Sequence, residues 1–342
     1  MQSGFASCPW AVGINHREVA EEVGQALGCP TNQDSEALLI CLQEKDARRV
    51  SAMFQHFFEW LFLPLVSLPR VDGDFIPDDP VKLIHEGRHQ NVDLMAGVTL
   101  DEGALIAQAM FAREQLITSL EANFSKLGTV SLHYEKEDEA LNLPQRIYDY
   151  YLGGVFLDKA HSEQLAKMYS DVHIGLGHDL VTKFHARHAH GRNTFRYELV
   201  YRGQLSLGDF GNTQVGKHWV FHGDDLYYLF TGGPLLQPTE RLRIMRAPKD
   251  VRLRNIVTTL WANFAATGNP TPDDSLGFIW EPSTEDNLHY LALKPEPTME
   301  ADRRQEVRDF HDSLPTRTNR ILYPEASHSQ DDTMQRPTSD EL

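Results

Sequence analysis

The 342 residues carry 32 Lys and Arg against 49 Asp and Glu, and the formal net charge of −17 argues against nucleic acid or an anionic membrane surface as partner. Composition is otherwise that of a globular protein, 41% apolar and 24% charged, long enough for one large α/β domain or two smaller ones. The most apolar run, Phe57 to Leu68, is interrupted by Glu59 and Pro64 and is too short to span a bilayer; no basic-then-apolar leader opens the sequence, so no signal peptide is expected.

In chain order, Met1 to Gly4 reads as the tail of a strand. Arg17 to Leu27 has helical spacing closed by Gly28, and Ser35 to Val50 reads as a second helix. Cys29 and Cys41 flank a polar segment between them. Their spacing fits a local disulfide with Cys8 left free, and it fits three reduced, partly buried cysteines as well. Pro69 to Phe75 reads as an extended segment with a tight Asp72-Gly73 turn, and Asp79-Pro80 as the cap and first residue of a short helix. Val92 to Val98 is an apolar run of strand length that ends in Asp101-Glu102-Gly103.

From Ala104 to Met168 the pattern is mostly helical, with breaks expected at Gly128, Pro144 and Gly153-Gly154. It contains one glycosylation triplet, Asn123-Phe124-Ser125, of a kind that also arises by chance. Asp179 to His188 reads as a helix, and His185, His188 and His190 lie on it or just after it. No acidic partner accompanies them, so a solvated helix face is expected rather than a metal site. Asn193 to Tyr201 alternates aromatic and β-branched residues as a strand does. Val251 to Ala266 is an amphipathic helix with Ile256, Val257, Leu260, Trp261 and Phe264 on one face, stopped by Gly268-Asn269-Pro270. Leu288 to Leu293 reads as the last short strand. A single domain over 1–312 is expected, with 313–342 a polar, irregular tail.

Two loops carry the chemistry. Glu102 follows the apolar strand at its carboxyl end, where open α/β sheets place their reactive groups, although position alone equally describes a first-turn helix acid. His222, in His222-Gly223-Asp224-Asp225, follows a later strand; it is one of 16 histidines and on its own could be a satisfied loop residue. A carboxylate followed by a histidine, each just past a strand, is the order of the last two members of an α/β-hydrolase triad. In such a triad the histidine takes the nucleophile's proton and the acid fixes its tautomer.

Further stretches carry a resemblance. Met1-Gln2-Ser3-Gly4 with Cys8-Pro9-Trp10, the Cys29 and Cys41 pair, Val71-Asp72-Gly73, Gly97 through Gly103, His222 through Phe230, and Trp261 through Pro270 together resemble the carboxylesterase type-B, cholinesterase-like family, with wording closest to its arthropod-type esterases. The resemblance covers almost the whole chain. It implies an α/β fold, specifically the C-terminal part of an α/β-hydrolase fold. It further implies Glu102 as triad acid, His222 as base, pairing of Cys29 with Cys41, a small-molecule ester substrate, and no cofactor.

The family's nucleophile is a serine in Gly-x-Ser-x-Gly. No serine in the 342 residues has glycine at both flanking positions; Ser206 and Ser275 have only the downstream one. No His-Gly-Gly run is present to form an oxyanion hole. The expectation is therefore a C-terminal portion without nucleophile elbow or N-terminal strands, inactive alone, from a serine ester hydrolase. The alternatives are a non-catalytic cholinesterase-like binding or adhesion module, or a truncated isoform acting on an unidentified partner chain. The ending Ser339-Asp340-Glu341-Leu342 weakly resembles an endoplasmic-reticulum retention signal, which with the cysteines suggests a secreted or lumenal parent.

Overall fold

The computed structural model describes residues 1–31, 34–134, 142–230 and 245–324. Its centre is a four-stranded sheet, β1 (Leu94–Thr99), β2 (Thr194–Leu199), β3 (Tyr290–Leu293) and β4 (Thr298–Glu300), in that spatial order. The first three are parallel, with Gly97 opposite Tyr197 and Tyr197 opposite Leu291; β4 pairs antiparallel to β3. On the far side of β1, Gln2 adds a short parallel bridge to Gly97, with Ser3 N–H donating to Gly97 O at 3.0 Å.

Every residue of β1 and β2 is buried, as parallel strands covered on both faces must be. On one face Leu94, Ala96 and Val98 pack with Phe5, Ile174 and Val181, the last from the helix Leu176–His188. On the other, Phe195, Tyr197 and Leu199 meet Leu253, Val257 and Leu260 of the helix Pro248–Thr267. The result is a helix–sheet–helix sandwich, and the α/β expectation holds. A glycine at position 97 is required by this packing: a Cβ there would lie 2.3 Å from the ring of Tyr197.

The alternation read in β2 does not divide buried from solvated residues. Arg196 and Glu198 are as buried as Phe195 and Tyr197. They are accommodated by an ion cluster centred on Asp179, which is wholly buried and accepts from Arg196, from Arg304 at 2.7 Å and 3.0 Å, and from Arg308 at 2.8 Å. Arg303 in turn pairs with Glu198. Burial alone would raise the Asp179 carboxyl, but the Arg304 and Arg196 charges hold it well below the usual range.

Several expectations are corrected. Ser35 to Val50 is two helices, Ser35–Gln43 and Ala47–Ala52, because Asp46 caps the second through Arg48 N–H at 2.7 Å. In the long helical region the breaks fall at Arg113 and Asn123; Gly128 lies inside the helix Phe124–Ser131, and Pro144 sits in the first turn of Leu143–Leu152, where proline is tolerated. Gly153, at φ 72°, does close that helix. The helix carrying His185 begins at Leu176 and covers the sheet, so its histidine face is not solvated. His185 Nε2 donates to Val92 O (3.0 Å), and its Nδ1 accepts from the Thr194 hydroxyl (2.7 Å). A fourth strand follows the one expected to be last.

The stretch from 313 was expected to be an irregular tail, yet Arg317–Leu322 is a helix. Thr316 caps it, and Leu322 is buried against Val81 and Phe184. Residues 325–342, with the Ser339-Asp340-Glu341-Leu342 ending, lie outside the described residues.

The Cys29–Cys41 disulfide is formed and ties the end of the helix His16–Ala26 to Ser35–Gln43. Cys8 is free and buried, and burial pushes its thiol up to about 12.

Candidate active site

Both loops read from the sequence meet at the carboxyl end of β1. After Thr99 the chain turns through Leu100 to Gly103 into the helix Ala104–Ala112, and this turn buries the Glu102 side chain. Glu102 Oε1 accepts the Thr99 N–H at 2.7 Å and the Ser3 hydroxyl at 2.5 Å; Oε2 accepts from His222 Nδ1 at 2.6 Å. Three donors, two on Oε1 and one on Oε2, fix the orientation of the carboxylate. A carboxylate can only accept, so the proton lies on Nδ1 and leaves Nε2 as the basic nitrogen. The His222 side chain remains 37% exposed, so that nitrogen can reach a substrate.

The two loops are stitched together by Asp101, and the His222 turn is closed by Asp224. Asp101 N–H donates to Val220 O (3.1 Å), and the Asp101 carboxylate accepts the Val220 N–H (2.8 Å). Asp224 accepts the N–H groups of Phe221 and Leu207, both at 2.9 Å, closing the turn around His222. Gly223, at φ 84°, makes that turn without the penalty of a Cβ. Burial raises both carboxyls, Asp101 to about 6 and Asp224 to about 7. Gln2 donates to Asp225 at 2.8 Å, so the first residues of the chain brace both loops.

Burial would depress the His222 imidazole, but the hydrogen bond and charge of Glu102, backed by Asp225 and Asp224, outweigh it and raise it above the ordinary histidine value. This is the electrostatic state of a base whose cation is stabilised once a proton arrives.

Gly103 is fixed by close approach. Its N–H donates to Ser170 Oγ at 2.8 Å, and a Cβ would sit 2.3 Å from the Ala166 carbonyl oxygen and 2.4 Å from Ser170 N. Since neither backbone atom can yield cheaply, Gly103→Ala is expected to cost about 1–3 kcal/mol and to shift the Glu102 turn. Thermal denaturation together with the His222 ring resonances checks this; an unchanged midpoint and unchanged resonances would contradict it.

Glu102 and His222 are thus brought together, while the triplet at Asn123 lies on the exposed junction of two helices. Ser3, Thr99, Asp101 and Asp224 were missed by sequence reasoning as site residues. Only the Asp101-Glu102 and Asp224-Asp225 pairings hinted at the latter two. The Ser3 hydroxyl bonds the acid rather than the base, and among the described residues no hydroxyl or thiol hydrogen-bonds His222 Nε2. Also among the described residues, no group of three or more His, Cys, Asp or Glu side chains is arranged to hold a metal ion, and no helix is long and apolar enough to cross a membrane.

A mostly parallel sheet between helix layers, with a buried acid meeting a histidine at its carboxyl edge, is the arrangement of the α/β-hydrolase class. The carboxylesterase family model matches residues 1–311, and the chain belongs to that family. It is 27% identical over 306 residues to bile salt-activated lipase of Mus musculus, an alignment covering 85% of this chain and 47% of that protein. It is also 27% identical over 300 residues to juvenile hormone esterase of Tribolium castaneum, covering 81% and 50%. To neuroligin-3 of Mus musculus it is 27% identical over 273 residues, covering 79% and 31%. The chain spans about half the length of the first of these relatives.

Proposed function

We propose that this chain is the C-terminal portion of a serine carboxylic-ester hydrolase, with Glu102 and His222 as the acid and base of an acyl-enzyme mechanism. The observation that carries the reading is the 2.6 Å hydrogen bond from His222 Nδ1 to a buried Glu102 that Thr99 and Ser3 hold in place. In this reading Nε2 removes the proton of a serine hydroxyl as that oxygen attacks the ester carbonyl, and later returns it to the leaving alcohol. The serine and the oxyanion donors come from sequence preceding Met1 in family order, because the 342 residues hold no Gly-x-Ser-x-Gly. On its own the chain is then inactive toward small-molecule esters.

The test is an upstream-extended chain carrying the Gly-x-Ser-x-Gly segment, assayed on an aryl ester beside its His222→Ala variant. Loss of turnover in the variant supports the assignment. Equal hydrolysis by both removes His222 as base, and absence of turnover in both leaves the binding or adhesion module in its place.

The Cys29–Cys41 disulfide supports an oxidising compartment for the parent, secreted or lumenal. Exposure of Asn123 supports glycan attachment there. Expression of the parent through a eukaryotic secretory pathway is expected to yield a glycosidase-sensitive mass that Asn123→Gln removes; a mass identical in both would refute the attachment.

A further inference from the structure

Apart from the Glu102 and His222 site, a cleft of about 120 Å³ opens between the helices Leu176–His188, Gln305–Asp312 and Arg317–Leu322. Its third wall, Thr316 to Tyr323, lies beyond the residues matched by the family. One side of its lining is apolar, with Val172, Leu176, Leu180, Phe184 and Leu322, while Thr316, Thr318 and Asn319 line it with polar groups. Two of its charged residues, Asp179 and Arg308, are spent on the buried ion cluster. His311 bonds Tyr151, and burial, with the Lys167 charge, holds it neutral at about 3.

Two opposite charges remain. The half-buried Lys183 and the exposed Asp312 line the same cleft, yet among the described residues neither makes an ion pair or hydrogen bond. They sense each other, the Lys183 charge working against the rise that burial gives the Asp312 carboxyl, but they do not meet. A cationic and an anionic group left apart over an apolar side present the complement of a zwitterion with an apolar body.

We propose that this cleft binds a free aliphatic α-amino acid, its carboxylate on Lys183, its ammonium on Asp312 and its branched side chain among Leu176, Leu180 and Phe184. The size agrees: apolar cavities of about 150 Å³ accept a benzene ring, so a slightly smaller one suits a branched chain of four carbons. Nothing in this proposal depends on the catalytic reading of Glu102 and His222.

The test measures binding of L-leucine to the 342-residue chain by calorimetry and ligand-observed NMR, beside 4-methylpentanoate, which lacks the ammonium, and 3-methylbutylamine, which lacks the carboxylate. Saturable leucine binding is expected, with each truncated probe weaker by about tenfold, the equivalent of one lost charge contact. Lys183→Met and Asp312→Asn are each expected to weaken leucine to a similar degree. Leu180→Trp, which fills the cleft, is expected to abolish binding and serves as a second check should either charge variant fold poorly. No saturable leucine binding overturns the proposal. So does 4-methylpentanoate binding as tightly as leucine, which would make the cleft a simple carboxylate site, or leucine binding unchanged in Leu180→Trp.

Discussion

Glu102→Gln in an upstream-completed chain is expected to lower kcat by about 10⁴-fold with little change in KM. The side chain keeps its size, so the Thr99 N–H and Ser3 hydroxyl can still be satisfied. What changes is the partner of His222. An amide presents either a neutral oxygen or an N–H to Nδ1, so the ring is no longer held in the tautomer with Nε2 free, and the imidazolium formed during attack loses its counter-charge. The loss belongs to the transition state rather than to substrate binding, which is why kcat should carry it.

The same variant makes a prediction on the chain as it stands. His222 is raised because the Glu102 hydrogen bond and charge overcome burial. Removing the charge leaves burial in control, so the imidazole titration followed by NMR should move to lower pH. The sign for stability follows. With the folded value above the ordinary one, protonated His222 stabilises the fold below the ordinary histidine value, and this contribution disappears as pH rises through the folded value. In Glu102→Gln that slope should reverse, because protonation of an imidazole held down by burial destabilises the fold. A kcat within tenfold of the parent, or an unmoved His222 titration, would show that Glu102 is not the orienting acid.

The largest expected effect on stability is at Asp179. Asp179→Asn leaves Arg196, Arg304 and Arg308 converging on a neutral amide beneath the sheet, where Arg196 is 1% exposed. Removing one partner of a buried ionic cluster costs about 3–5 kcal/mol, because the remaining charges stay desolvated without compensation. Urea denaturation should show the midpoint falling while the native spectrum is kept. Since the Asp179 carboxyl is held well below the usual range, its contribution is present above the ordinary carboxylate value and is lost only as pH falls through the depressed folded value. Asp179→Asn should therefore flatten the acid limb of the stability profile. A variant within 1 kcal/mol of the parent would mean that the three guanidinium groups find other partners.

The histidine-rich helix shows how such a cluster escapes a reading of the sequence. Asp179 and His185 look like polar residues on a solvated helix, because the pattern of one helix does not say which neighbour covers it. The sheet brings Thr194 to His185, and the helix Gln305–Asp312 brings Arg308 to Asp179, across 129 residues of chain. The same limit explains β2. A strict alternation of Phe195, Arg196, Tyr197, Glu198 and Leu199 is the pattern of a half-solvated strand, and only the arrival of Arg303 and Arg304 allows the polar half to be buried.

What the sequence determined by itself was set by local chemistry. The cap at Asp79, the stop at Gly268 and the apolar strand ending in Asp101-Glu102-Gly103 depend on contacts a few residues apart. Family likeness, spread over several motifs, singled out Glu102, His222 and the Cys29–Cys41 pair. The tertiary structure alone decided that Glu102 is held by Ser3 from the far end of the chain, that Asp101 locks the two loops together, and that residues 317–322 fold onto the body to wall a second cleft. Each of these depends on groups about 100 residues or more apart in sequence, or on a surface that exists only after the sheet is covered. Burial and long-range hydrogen bonding have no periodicity along the chain, and so they leave no pattern in it to read.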